Sequence, residues 1–248
     1  MNPFLNHSPL VSKHPEGSQP SSGRRICAVI PSYNAATTIG PLVHRIKELG
    51  LDPVVVDDGS TDATAETASN AGALVMSHLR NRGKGAALRT GFTFALREGY
   101  EKIVTLDSDG QHDPAEIPRL LAEAERPEVA IVLGHRVINA STMPKIRQWT
   151  NAVMSAIISR LAGQPIPDSQ CGFRVIHRQA LASMALSTSR FDFESELLLA
   201  AARQRFRIVS VPIQTIYERH SSHIHPLMDS LRFIRLLLRY CFRRPGRL

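Results

Sequence analysis

Short apolar runs alternate with longer amphipathic segments along most of the chain. Five runs rich in aliphatic or β-branched residues predict strands, at 26–30, 54–56, 73–76, 104–106 and 129–133. Between them, apolar residues recur with the period of a helix, as at Ile39, Leu42, Val43, Ile46 and Leu49. Strands that alternate with helices of ten or more residues predict an α/β fold with a mostly parallel sheet flanked by helices.

Polar residues follow three of the predicted strands directly. They are Pro-Ser-Tyr-Asn at 31–34, Asp-Asp-Gly-Ser-Thr-Asp at 57–62 and Asp-Ser-Asp-Gly-Gln at 107–111. In open α/β sheets, ligands bind beyond the carboxyl ends of the strands. We therefore expect the three clusters to meet in one pocket.

The third cluster has the spacing of a metal site. Asp107 and Asp109 are two residues apart, so in an extended backbone both carboxylates can reach one cation, and Gln111 is next in phase. Such oxygen ligands suit Mg²⁺ or Mn²⁺, and Mg²⁺ takes one or two protein carboxylates and completes its shell with water and phosphate oxygens. The pattern predicts a metal-assisted diphosphate site, and a solvated acidic turn is the alternative.

The segment 80–85, Arg-Asn-Arg-Gly-Lys-Gly, opens the predicted third helix. No GxxxxGK[ST] pattern surrounds it and no GxGxxG follows the first strand, which disfavours phosphate-loop hydrolases and dinucleotide dehydrogenases. At a helix start, Lys84 can contact an anion, because the backbone N–H groups there also favour negative charge. A solvated basic loop is the alternative interpretation.

Composition narrows the class of protein further. The chain has 248 residues, 43% of them hydrophobic, which is enough for one large domain, and its net charge of +8 favours an anionic partner. The three cysteines are widely spaced, so we expect neither a disulfide framework nor a zinc site. Because no disulfides are expected, a cytoplasmic protein is the default prediction. No run of eighteen apolar residues occurs, so membrane contact is expected to be peripheral.

Several segments, in order and spacing, resemble the family 2 glycosyltransferases with a GT-A fold, and most of all the dolichyl/polyprenyl-phosphate mannose and glucose synthases. The segments are 31–34, 56–62, 81–87, 107–111, 134–136, 168–174, 191–196 and 211–213. The resemblance covers roughly residues 25–225. We therefore predict a disordered tail over 1–24, a GT-A domain over 25–225 and a basic C-terminal helix over 226–248.

The resemblance also implies roles for individual residues. Those implied to hold the base and ribose of a nucleotide sugar are Pro31, Tyr33, Val56 and Asp58. Those implied to hold Mg²⁺ or Mn²⁺ and the diphosphate are Asp107, Asp109 and Gln111. Basic positions expected to contact the nucleotide sugar are Lys84, Arg136, Arg219 and His223. Asp168 is the implied acceptor-side base, with Asp192, Glu194 and Glu196 as rivals.

Two positions depart from the family pattern. Ala35 stands where the family commonly has Glu after Asn, and His223 stands where such synthases often carry Lys. Without the carboxylate of that Glu, a contact to the base or ribose is missing, so the sequence does not identify the nucleotide of the donor. The implied chemistry is direct displacement with inversion, in which Asp107, Asp109, a cation and Arg136 stabilise the leaving diphosphate.

The C-terminal segment bears on the acceptor. Arginines recur there at helical spacing, at Arg232, Arg235, Arg239 and Arg243, among apolar residues. Such a basic amphipathic helix can lie in an anionic membrane interface, which predicts peripheral association with the inner face of the cytoplasmic membrane. Packing on the core or in a homodimer is the alternative. The segment 145–161 is a second amphipathic helix that can line an acceptor groove.

These observations predict a metal-dependent inverting glycosyltransferase that moves a sugar from a nucleotide sugar to a lipid-linked acceptor, with polyprenyl phosphate preferred. Transfer to a glycolipid hydroxyl is the first alternative, and it would make Asp168 more important as a base. A basic nucleic-acid-binding module without activity is the second. Interleaved aromatic residues and a reading helix are missing from the sequence, so no nucleic-acid partner is expected.

Overall fold

The structure, a computed structural model, describes residues 10–11, 25–136, 145–190, 192–214, 233–238 and 240. The strands are β1 (Leu10–Val11), β2 (Ile26–Ser32), β3 (Asp52–Asp57), β4 (Leu74–Ser77), β5 (Lys102–Thr105), β6 (Val129–Arg136), β7 (Arg174–His177) and β8 (Arg207–Ile213). The α-helices are α1 (Ala36–Glu48), α2 (Thr64–Asn70), α3 (Lys84–Arg97), α4 (Ile117–Glu123), α5 (Lys145–Ala162), α6 (Arg178–Ser183) and α7 (Phe193–Arg203). A 3-10 turn, Pro114–Glu116, precedes α4, and residues 233–238 and 240 are helical.

The described strands form one eight-stranded sheet in the order β1-β4-β3-β2-β5-β7-β6-β8. Strands β2 to β5 run parallel, β7 runs antiparallel to both β5 and β6, and β8 is parallel to β6. The predicted mostly parallel α/β sheet is confirmed. The sequence predicted neither β7, which reverses direction in the middle of the sheet, nor β8, which pairs with β6.

The carboxyl ends of the parallel strands are aligned at one edge. Ser32 is paired with Asp57, and Asp57 with Ser77, so β2, β3 and β4 end side by side. Because β7 is antiparallel, its first residue, Arg174, pairs with Thr105, the last residue of β5. The segment that leads into β7 therefore arrives at the same edge as the three polar clusters.

Helix α3 lies directly on the sheet because Gly91 faces it. A Cβ atom on Gly91 would be 2.4 Å from Cγ1 of Val29 in β2, so a larger residue would push the helix away. Phe92 of α3 and Phe193 of α7 are fully buried, with ring centroids 6.0 Å apart. The starts of α3 and α7, which carry side chains of the site, are thereby fixed to the core.

The two ends of the chain are described only in part. Leu10–Val11 pairs antiparallel with β4, which the prediction of a disordered tail did not include. In the predicted C-terminal helix, Phe233 and Leu236 are buried in the core, while Ile234 and Leu238 are each 51% exposed. Among the helices that the structure describes, none has the length and hydropathy needed to cross a membrane.

Candidate functional site

Hydrogen bonds join two of the polar clusters to each other and the third to helix α1, which follows the first cluster. The backbone N–H of Asn34 donates to Oγ of Ser60 at 2.9 Å, and the N–H of Thr61 donates to Oδ1 of Asn34 at 2.9 Å. The hydroxyl of Thr38 in α1 donates to the carbonyl of Ser108 at 2.6 Å. The predicted clusters therefore form one continuous region at the edge of the sheet.

The four residues predicted to hold a base and ribose differ in exposure. Pro31 and Val56 are buried within the sheet, and Tyr33 is 42% exposed at its edge. Asp58 is 3% exposed. Of the four, Tyr33 offers the most side-chain surface to a ligand.

The Asp58 carboxylate holds the loop before α3. It accepts hydrogen bonds from the N–H groups of Arg82 at 3.0 Å and Gly83 at 2.7 Å, and it lies 2.6 Å from Nδ1 of His78. The other ring nitrogen of His78 is 2.9 Å from the hydroxyl of Thr90. Sequence reasoning missed His78 and Thr90, although a histidine directly after a buried strand was a visible signal. Asp58 thus fixes the loop that carries Lys84.

Lys84 lies between two carboxylates from distant parts of the chain. Its Nζ is 2.6 Å from Oδ1 of Asp107 and 2.6 Å from Oε1 of Glu194, whose side chain is 4% exposed. Burial alone would lower the pKa of Lys84, but the two carboxylates outweigh it and hold that pKa above its usual range. Burial would likewise raise the pKa of Asp107, yet Lys84 and His112 keep it well below its usual range. Both groups are therefore charged.

Two further residues surround the Asp107 carboxylate. Nε2 of His112 is 3.8 Å from Oδ2 of Asp107, and the buried Nδ1 of His112 has no hydrogen-bond partner among the described residues. A Cβ atom on Gly172 would lie 2.8 and 2.9 Å from the two oxygens of Asp107. Sequence reasoning did not single out Gly172. Its missing side chain leaves the carboxylate accessible, at 26% exposure.

The predicted metal ligands fit a cation that is shared with a substrate. Asp109 is partly exposed and accepts a hydrogen bond from the N–H of Gln111 at 3.0 Å. Across the described ranges, no group of three or more His, Cys, Asp or Glu side chains could hold a metal. Mg²⁺ needs only one or two protein carboxylates when water and phosphate oxygens complete its shell. Asp107 and Asp109, two partly exposed carboxylates, are of the type and number that this arrangement needs.

Asp168 is held by Arg136 in a two-point ion pair. Its oxygens are 2.7 Å from Nε and 2.9 Å from Nη2 of Arg136, and the N–H of Arg136 donates to it at 3.3 Å. Asp168 is 6% exposed. Burial would raise the pKa of Asp168, but Arg136 outweighs it and lowers that pKa. A carboxylate with a lowered pKa and engaged oxygens is a poor general base.

Arg174 holds the segment before β7 against α7. Its buried guanidinium donates to the carbonyls of Ser169, Cys171 and Glu194 at 2.9–3.1 Å. Cys171 is buried too, and burial together with the nearby charge of Asp168 raises its pKa to about 12. This cysteine is therefore a neutral packing residue.

Glu196, a predicted rival base, instead holds the loop before α7. It accepts hydrogen bonds from the N–H and hydroxyl groups of Ser187 and Thr188 at 2.7–3.0 Å. The next carbonyl, that of Ser189, accepts from the N–H of Ala86 at 3.1 Å. The loop therefore supports the first turn of α3, where Lys84 lies.

A cavity of about 260 Å³ lies between this loop and the C-terminal helix. Its lining residues are Ser187, Thr188, Ser189, Arg190, Asp192, Arg235 and Leu236. Asp107 and Asp109 do not line it. Sequence reasoning missed this cavity, because it joins two segments that are distant in the chain. Arg219 and His223, predicted to contact the nucleotide sugar, lie outside the described residues.

Comparison with known proteins identifies the family. The model of glycosyl transferase family 2 matches residues 27–184. UDP-N-acetylglucosamine–dolichyl-phosphate N-acetylglucosaminyltransferase of Methanococcus voltae is 30% identical over 219 residues, which cover 79% of this chain and 87% of that protein. Undecaprenyl-phosphate mannosyltransferase of Micrococcus luteus is 30% identical over 209 residues, covering 79% and 84%.

A solved structure supports the fold independently. Glucosyl-3-phosphoglycerate synthase from Mycobacterium tuberculosis, in complex with Mn²⁺, UDP and glucosyl-3-phosphoglycerate, superposes with a TM-score of 0.72. It is 22% identical and covers 91% of this chain and 82% of that one. Its similarity supports the GT-A-like arrangement of sheet and helices. The chain therefore belongs to glycosyl transferase family 2.

Proposed function

We propose that this enzyme transfers a hexose-type sugar from a nucleotide sugar to polyprenyl phosphate, with a divalent cation and with inversion at the sugar carbon. The names of the two relatives, which specify dolichyl phosphate and undecaprenyl phosphate, support this acceptor class. The observation that carries the proposal is the ion pair between Arg136 and Asp168.

A hydroxyl acceptor needs a base to remove its proton, and a phosphate acceptor does not. Asp168 is engaged by Arg136, Glu194 is paired with Lys84, and Glu196 holds the 187–188 loop. A phosphate monoester has a second pKa of about 6, so much of it is already dianionic at neutral pH. The engagement of these three of the four candidate bases supports a lipid phosphate over the hydroxyl of a glycolipid.

In this proposal, Asp107, Asp109 and Gln111 hold Mg²⁺ or Mn²⁺ together with the diphosphate of the donor. The cation supplies positive charge that stabilises the departing diphosphate. Solved structures of similar fold contain Mn²⁺ or Mg²⁺ with UDP, which supports this choice of ion. Lys84 supplies a fixed positive charge beside Asp107.

The remaining predicted contacts keep their proposed roles. Tyr33 and the buried segments at Pro31, Val56 and Asp58 form the edge where we place the base and ribose. Arg136, which pairs with Asp168, is proposed from the sequence to contact the nucleotide sugar. Arg219 and His223 are proposed contacts from the sequence alone.

We also propose peripheral association with the cytoplasmic face of an anionic membrane. The exposed side chains of Ile234, Arg235 and Leu238 on the C-terminal helix combine apolar surface with positive charge, as interfacial helices do. Trp149 on α5 is 67% exposed and adds a second apolar group. Pairing of these surfaces in a homodimer is the alternative.

The proposal can be tested with two acceptors, one of which carries the phosphate group and one of which lacks it. We expect transfer from the donor to short-chain polyprenyl phosphate and no transfer to the corresponding polyprenol, measured by chromatography of radiolabelled lipid product. Equal transfer to the polyprenol, lost in Asp168→Asn, would instead support the glycolipid-type reaction with Asp168 as base.

A further inference from the structure

We propose that the cavity between residues 187–190 and the C-terminal helix binds a phosphate group that is carried by a lipid. This inference rests on the proposed function and extends it to a cavity that Asp107 and Asp109 do not line. Two sources share this chemistry, namely the phosphate of the polyprenyl acceptor and the headgroup of an anionic phospholipid.

The charge of the cavity favours an anion. Arg190 and Arg235 line it and are exposed, and neither has a carboxylate within ion-pair distance in the part of the chain that the structure describes. The hydroxyl of Ser189, also in the lining, makes no hydrogen bond to the described residues. Asp192 is the acidic residue of the lining, so the two guanidinium groups leave a net positive charge. Planar guanidinium groups bind phosphate oxygens through paired hydrogen bonds.

Both arginines lie on elements that are fixed in place. Glu196 holds the loop before Arg190 through its hydrogen bonds to Ser187 and Thr188. The helix that carries Arg235 is anchored by the buried side chains of Phe233 and Leu236. Support of this kind fixes the backbone of both walls, so the two arginines start from defined positions, as a binding site requires.

The helix beside the cavity favours a lipid as the carrier of the phosphate. Ile234 and Leu238 are four residues apart, so they lie on one face of the helix, and each is 51% exposed. Arg235 is adjacent to Ile234 in sequence and three residues from Leu238, which places its charge at the border of this apolar face. A ligand with an apolar chain and a phosphate matches both surfaces.

The cavity adjoins the donor side of the site through Gly83. A Cβ atom on Gly83 would be 3.1 Å from Cγ of Arg190 and 2.4 Å from the carbonyl of Ser189. Gly83 directly precedes Lys84, which contacts Asp107. A phosphate in the cavity is thus next to the loop that leads into Lys84.

Arg190→Gln and Arg235→Gln in the full-length protein test the site, with Arg97→Gln as the matched control. Arg97 is exposed near the far end of α3, about 20 Å along the helix from Lys84. The first probe is short-chain polyprenyl phosphate in neutral detergent micelles, and the second is vesicles of phosphatidylcholine with phosphatidylglycerol. We expect each cavity variant to weaken binding of at least one probe about tenfold, the double variant more, and the control to bind like the wild type.

The two probes separate the sources of the phosphate. Weaker binding of polyprenyl phosphate in micelles assigns the cavity to the acceptor, and weaker binding to vesicles alone assigns it to a phospholipid headgroup. Unchanged binding of both probes in the double variant overturns the site. If the variants weaken binding while the wild type transfers no sugar to polyprenyl phosphate, the phosphate site stands and the proposed function fails. Nucleoside diphosphate affinity, measured by calorimetry, should stay within twofold of wild type in every variant.

Discussion

At the scale of single residues, several buried charged side chains of this site are paired with side chains of opposite charge. Lys84 balances Asp107 and Glu194, Arg136 balances Asp168, and each pair joins segments that are distant in sequence. The sequence indicated that these residue types belong to a site, because they follow buried strands or open a helix. Their pairing was not predictable, since it depends on which loops the sheet brings together.

Removing the Lys84 charge should destabilise the fold. Lys84→Met leaves the carboxylates of Asp107 and Glu194 without their shared cation, and breaking a buried ion pair in this way costs about 3–5 kcal/mol. Unfolding in urea, followed by circular dichroism, measures the loss. Lys84→Arg keeps the charge and serves as the control. A Lys84→Met protein as stable as the wild type would show that the three groups do not depend on one another.

The ion pair between Asp168 and Arg136 should make the free energy of unfolding depend on pH in the acid range. The pKa of Asp168 is lowered in the folded state, so the pair contributes stability above the unfolded pKa of about 3.9 and loses it as pH falls through the folded value. We expect Asp168→Asn to be less stable than the wild type by a constant amount above about pH 5. The difference should shrink below about pH 4 in urea titrations. A difference that instead changes between pH 6 and 8 would contradict the lowered pKa.

At the scale of elements, the alternation of strands and helices from β2 to β6 was predictable from hydrophobic periodicity. The alignment of the polar clusters at one edge followed from the parallel strands and is confirmed by their register. Strand β7 was missed because it has only four residues and begins and ends with a polar side chain, Arg174 and His177. The two apolar residues between them are too few to form a recognisable strand pattern. The antiparallel direction of β7 is decided by pairing with β5 and β6, which no local pattern records.

The loop before α7 is a structural support whose role is testable through Glu196. Glu196→Gln removes the negative charge that accepts hydrogen bonds from Ser187 and Thr188, and it places an amide NH₂ against these donors. We expect a loss of about 1–3 kcal/mol in the free energy of unfolding and a lower rate of sugar transfer, because the loop supports the start of α3. Thermal or urea unfolding measures the first effect.

The exposed Glu48 at the end of α1 provides a matched control for that experiment. Glu48→Gln makes the same chemical change away from the loop and should stay within about 0.5 kcal/mol of the wild type. Equal stability of the two variants would show that the 187–188 loop does not need the Glu196 charge.

At the scale of the whole molecule, one sheet edge combines the carboxylates of Asp107 and Asp109 with the positive charges of Lys84 and Arg136. The net charge of +8 and the partly apolar C-terminal helix are consistent with our proposal of an anionic lipid partner. Composition predicted an anionic partner without identifying it. The family and the engaged carboxylates together support our proposal that the partners are a nucleotide sugar and a lipid phosphate.

The most direct test of this account is release of nucleoside diphosphate from a panel of UDP- and GDP-sugars, with and without Mg²⁺ or Mn²⁺ and with and without short-chain polyprenyl phosphate. Asp109→Ala is measured beside the wild type. We predict release that requires one matching donor, the cation, the lipid phosphate and Asp109. Release that is equally fast without the lipid phosphate, or in Asp109→Ala, would contradict the account.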